Sequence, residues 1–230
     1  MNHGPLVFLG LLVSVVCSWA AVVMVPQFQV GDQGMVRIEE TGQDYPQAPA
    51  GLARRGAEVY RANGCQYCHT QQVRDAGEGQ DLARGWGARR TVVRDYLRDQ
   101  PAMIGTVRYG PDLTNHGIRE HDRVKLLQRL YNPRWVMPGS PMPRYPYLFE
   151  LRRVGPDGGS SLNALPLPEG EGPGAGLEVV PTPDAEALVA YLLSLRADPL
   201  FFEVFPPPAP KPATNAEPST LTATNLPPSP

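Results

Sequence analysis

The sequence has 230 residues, enough for one ordinary domain with extensions, and its 27 prolines and 23 glycines imply long stretches of irregular backbone. A formal charge of −2 conceals a split: residues 51–150 carry 16 Lys and Arg against 10 Asp and Glu, a surplus of +6, while the remainder carries 5 against 13, or −8. The arginines of the basic middle are scattered rather than clustered, which argues against nucleic acid as a partner.

Residues 6–25 read LVFLGLLVSVVCSWAAVVMV, an uncharged apolar run of the length that crosses a bilayer as one helix, roughly 20 residues. A single transmembrane anchor is expected over residues 1–26. A cleaved signal peptide would have a basic start and an apolar run of roughly 7–15 residues; here only His3 precedes a longer run, so a retained anchor is favoured. Cys17, inside the run, reads as a small apolar residue rather than a reactive thiol. No Lys or Arg occurs before Arg37, so charge asymmetry does not orient the helix. Residues 27–50 are polar and contain Gly and Pro, and they read as a linker.

In residues 51–63, Leu52, Ala53, Gly56, Val59 and Tyr60 recur at helical spacing, and Gly64 ends the run. This helix delivers the stretch that organises the chain, Cys65-Gln66-Tyr67-Cys68-His69. Cys-x-x-Cys-His is the pattern of covalent haem c attachment, in which two thiols add to the porphyrin and the adjacent histidine ligates the iron. A thioredoxin-like dithiol would open a helix within a βαβ unit, which is not the pattern around Cys65. A zinc site would need a second pair of soft ligands, and the remaining cysteine is Cys17.

Beyond His69 an Arg- and Gly-rich segment supplies candidate partners for haem propionates: Arg74, Arg84, Arg89 and Arg90, with Trp86 and Tyr109 as hydrogen-bond donors. The turn Gly110-Pro111-Asp112-Leu113 offers a backbone carbonyl that can accept the Nδ1 proton of His69 and fix its tautomer. A helix is expected over residues 119–131, stopped by Asn132-Pro133. The loop RWVMPGSPMPRYPYL follows, and its prolines can hold a methionine in place without a helix or strand. Met142 is the first choice of distal iron ligand, Met137 the second and Met103 the third. His116 and His121 read as surface polar residues, which sets His/Met above bis-His ligation. A thioether sixth ligand raises the potential and closes the iron to substrates, so electron transfer is expected rather than peroxide chemistry.

Residues 150–181 form a Gly/Pro-rich excursion with candidate strands at 162–167 and 177–180. Thr182-Pro183-Asp184 then opens a helix with N-cap, first-turn proline and acidic residue in sequence. Its apolar face is Ala185, Leu188, Val189, Leu192 and Leu195, and the helix of residues 52–63 is its expected partner. The LFFEVF cluster beyond Pro199 reads as packing against a neighbour, and residues 206–230 as an extended or disordered tail.

The order of helix, Cys-x-x-Cys-His, Gly-Pro, methionine loop and closing helix resembles a class I cytochrome c on a membrane anchor. The segments CQYCHTQQVR, RYGPDLTNHG, YNPRWVMPGSPMPRYPYL and VPTPDAEALVAYLLSL resemble the monohaem subunit II of cbb3-type cytochrome c oxidases. The resemblance implies a mainly α fold: an anchor over 1–26, a linker over 27–50, a cytochrome c domain with long irregular loops over 51–198 and a Pro-rich tail over 199–230. It implies one covalent haem c on Cys65 and Cys68, with His69 proximal, Met142 distal and Pro111 supporting His69. It also implies a single-pass protein of the bacterial inner membrane with its haem domain on the periplasmic side. Such a subunit takes electrons from an upstream cytochrome c or bc complex and relays them to a haem-copper subunit, where oxygen is reduced. A nitric oxide reductase haem c subunit and a free-standing anchored carrier remain as alternatives.

Overall fold

The structure is a computed structural model that describes residues 2–31, 33–155, 159–201 and 203–204. The tail expected over 206–230 lies outside the described residues.

The N-terminal helix, α1, runs over Gly4–Val30, with a mean hydropathy of 2.6 in its most apolar stretch and none of that stretch buried. The helix thus continues four residues past the expected end at Pro26. Pro26 lies in the first turn of the segment Val25–Val30, where a missing N–H is tolerated. The preceding turn, Ala20–Met24, widens so that the Val25 N–H donates to the Ala20 carbonyl, five residues back. The proline is thus absorbed within the helix.

The expected linker holds a small antiparallel hairpin, β1 (Val36–Ile38) with β2 (Gln43–Tyr45). Tyr45 is buried, and its hydroxyl donates to Asp95 at 2.7 Å. Part of the stretch read as a spacer is thus docked onto the body of the domain.

At the centre, α2 (Leu52–Ala62) packs on α6 (Pro183–Ser194), as their apolar faces require. The backbones meet at Gly56, where an added Cβ would overlap the Ala187 carbonyl, so only glycine permits the approach. Thr182 caps α6 by accepting the Ala185 N–H at 3.3 Å. Val59, Tyr60, Leu188 and Leu192 join Leu126, Leu127 and Leu130 in one core.

The helix expected over 119–131 is two helices, α3 (His116–Arg119) and α4 (Arg123–Tyr131). Glu120 is extended, and Asp122 accepts the Lys125 N–H to start a new helix. Asn132 then ends α4 and caps a one-turn helix, α5 (Pro133–Val136), inside the methionine loop, which was read as helix-free.

The later strand pair is β3 (Phe149–Arg153) with β4 (Leu177–Pro181), antiparallel, Leu151 opposite Val179. The stretch at 162–167 is not a strand; its Leu165 N–H donates to the Val179 carbonyl at 2.7 Å. Pro199, Phe201 and Val204, expected to begin the tail, fold back on the domain. The Pro199 carbonyl accepts from Arg89 at 2.7 Å, Phe201 lies 5.6 Å from the Tyr45 ring, and Val204 is buried. With its N-terminal apolar helix, few strands and long loops, the chain has the mainly helical architecture expected.

Candidate functional site

A cavity of about 800 Å³ opens between the end of α2, the methionine loop and α6. Gly64 takes a left-handed backbone (φ 67°), which ends α2 and turns the chain into a single tight helical turn, Cys65–Tyr67. The Cys65 carbonyl accepts the N–H of Cys68 at 3.2 Å and of His69 at 3.0 Å. Cys65, Cys68 and His69 all reach the cavity wall. Burial pushes the Cys65 thiol up to about 11, the opposite of the depressed thiol a dithiol oxidoreductase needs.

The His69 ring is held on two sides. Its Nδ1 lies 2.8 Å from the Pro111 carbonyl, and a carbonyl only accepts, so Nδ1 carries the proton and Nε2 is left as a free electron pair. Gly110 packs so close that an added Cβ would overlap the ring. Burial holds the imidazole below its ordinary pKa, which keeps it in the neutral form that can ligate a metal. The turn carrying Gly110 and Pro111 is itself pinned, because the Gly110 N–H donates to Cys68 and the Leu113 N–H to Thr70. Beneath it Asp112, fully buried, accepts from the Thr70 hydroxyl at 2.6 Å and from the Gln72 and Thr114 N–H groups at 2.7 and 2.9 Å. Sequence reasoning passed over Asp112; its signal was the acid next to Gly-Pro.

Met142, between Pro141 and Pro143, lines the same cavity, and its N–H donates to the Ser140 hydroxyl. Met137 also lines it but is largely exposed. Met103, the third choice, is 5% exposed within the core and does not line the cavity.

Only some of the expected haem-edge residues reach the cavity. Arg84, Trp86 and Tyr109 line the cavity, Arg84 stacking 5.0 Å from the Trp86 ring centre. Arg74, Arg89 and Arg90 do not. Arg89 is buried in an ion pair with Asp95 at 2.8 Å, Arg74 is drawn to the buried carboxylate of Asp81 at 3.4 Å, and Arg90 lies 3.9 Å from Asp75. Asp81 also pairs with Arg108 at 2.5 Å, and Arg108 still lines the cavity.

The wall residues that sequence reasoning missed are Arg108, Arg129 and His116. Arg129 shares the cavity face of α4 with Leu126 and Leu130, spacing that reads as a core face with a cation in it. His116, expected at the surface, is 8% exposed, and burial together with Arg119 and Arg129 pushes its ring down to about 4. His121 is exposed, as expected.

Two thiols, a neutral imidazole and a thioether on one largely apolar wall, with arginines beside them, are the donor set of a haem c, and the residues present fit that group. The fold and this wall define a c-type cytochrome on an N-terminal apolar helix. A family model described as cytochrome c oxidase, mono-heme subunit/FixO, matches residues 1–157, and the chain belongs to that family. It is thus a mono-haem cytochrome c subunit of an oxidase. The match ends between β3 and β4, so α6 lies beyond it. No curated protein matches the chain significantly.

Proposed function

We propose that this chain is the electron-transferring haem c subunit of a cbb3-type cytochrome c oxidase. Cys65 and Cys68 hold the haem covalently, His69 is its proximal ligand and Met142 its distal one. The observation that carries the reading is His69, with its Nδ1 proton on the Pro111 carbonyl, Gly110 against its ring and Nε2 left free on a cavity that Met142 also lines. When bound, the haem supplies a single-electron couple. The protein's own part is to orient the imidazole, to exclude water with Leu113, Leu126, Leu130, Leu188 and Leu192, and to set the cation of Arg84 beside the haem's carboxylates. A wall of this kind, closed by a thioether, favours outer-sphere transfer over binding of oxygen or peroxide.

The anchor lies in the bacterial inner membrane with the haem domain on the periplasmic side. Electrons arrive from an upstream cytochrome c or bc complex and leave for the haem-copper subunit, where oxygen is reduced. The chain is read as a membrane anchor (1–26), linker (27–50), cytochrome domain (51–198) and tail (199–230), with the helix end and the placement of Pro199, Phe201 and Val204 as described above. The test is purification from mildly solubilised membranes, with a pyridine haemochrome assay and oxygen- and NO-consumption measurements. Co-purification of a haem-copper subunit that consumes oxygen is expected. NO consumption instead would move the chain to a nitric oxide reductase, and a lone haem protein would make it an anchored carrier.

A further inference from the structure

His116 is set into the wall with little freedom. Its N–H donates to the Leu113 carbonyl at 2.9 Å. The preceding Asn115 bridges the chain, donating to the Trp86 carbonyl at 3.1 Å and accepting from Ala197 at 2.7 Å. The following Gly117 packs where a Cβ would overlap the Leu193 carbonyl. Among the described residues the His116 ring makes no hydrogen bond, although it is nearly buried on a cavity wall shared with Leu113, Leu126 and Leu130.

Arg129, on the same wall, is in a similar position. Its one carboxylate contact among the described residues is Glu120 at 3.9 Å, and Lys125 holds that carboxylate at 2.8 Å. Nearby Arg119 is engaged with the Asp112 and Asn115 carbonyls. An imidazole donor and a weakly matched guanidinium, both facing an apolar cavity, carry a desolvation cost that a single anionic group would offset.

We infer that His116 and Arg129 form a carboxylate seat on the cavity wall, and that one propionate of the bound haem occupies it. This rests on the haem reading above. The planar guanidinium suits a carboxylate through paired N–H donors, and the imidazole adds a third donor from a different element. Both are positioning residues: they fix the haem's rotation in the cavity, and the Arg129 charge together with the imidazole N–H offsets the propionate's negative charge, which favours the reduced state.

The test uses the full-length, haem-loaded chain in detergent. Resonance Raman in the propionate bending region and spectroelectrochemical titration are read on His116→Phe, Arg129→Gln, the double variant, and Arg134→Gln as an off-cavity control. Each seat variant is expected to shift the propionate band and lower the midpoint potential, the double by less than the two together. Arg129→Lys should restore the potential in part, and the control should match wild type.

Loaded seat variants with an unmoved band and potential would overturn the seat. If His116→Phe does not load haem, His116→Gln, which keeps a donor, is read in its place: a wild-type band supports the seat and a shifted one overturns it. Failure of both to load overturns it if Arg129→Gln keeps the wild-type band and supports it if that band shifts. A wild-type chain without haem by pyridine haemochrome removes the haem reading and the seat together, an outcome distinct from loaded variants that do not respond.

Discussion

Gly110 is the residue on which His69 leans most directly, because the ring occupies the space a Cβ would need. Gly110→Ala should therefore displace the imidazole and cut covalent haem content several-fold, as read by pyridine haemochrome against total protein. The thioether is tested by Met142→Ala, which should abolish the sulfur-to-iron charge-transfer band and lower the potential, while Met137→Ala should leave both in place. Asp99 answers to pH. Burial pushes its carboxyl up to about 6, above the ordinary 3.8, so the folded chain binds a proton that the unfolded chain has released between those values. Its contribution to stability is present below about pH 4 and is lost as pH rises to about 6. Asp99→Asn should flatten that part of the stability profile, measured by denaturant titration at a series of pH values; an unchanged slope would falsify the assignment.

Secondary elements were legible where the chain carries its own punctuation. Thr182, Pro183 and Asp184 announce α6, and Gly64 announces the end of α2, because each of these residue types satisfies a helix terminus locally. The break between α3 and α4 was not, since Asp122 could equally sit within a first turn. What makes it a new cap is the extended backbone at Glu120. Strand β3 escaped notice because most of its side chains are exposed on both faces, leaving no alternation to read. The seam between α2 and α6 carries the element-scale prediction. Leu188→Ala leaves a hole in the core and should cost about 2–5 kcal/mol, and Gly56→Ala forces the two helices apart and should cost about 1–3 kcal/mol or more. Both are measured as denaturant midpoints on the holoprotein.

At the scale of the whole molecule, Cys65, Cys68, His69 and Met142, which spacing and loop prolines single out, all line one cavity. Of the arginines singled out beside them, Arg84 lines it, while Arg74 and Arg89 are held by Asp81 and Asp95. Those ion pairs follow from how the loops fold, which spacing along the chain does not announce. The same scarcity of local signal applies to association. The sequence has only two lysines, Lys125 and Lys211, so docking charge rests on arginine. Electron transfer to the catalytic subunit should therefore slow only modestly as salt rises, in flash-photolysis traces across an ionic-strength series.

The hairpin of β1 and β2 is fastened to the domain through Tyr45, and Gln33 accepts from Arg94 at 2.8 Å. Residues 31–35 are all that separates the end of α1 from β1, a reach of about 18 Å at full extension. A redox centre on so short a leash is held within a narrow band of heights, and whichever protein exchanges electrons with it must bring its own docking face to that level.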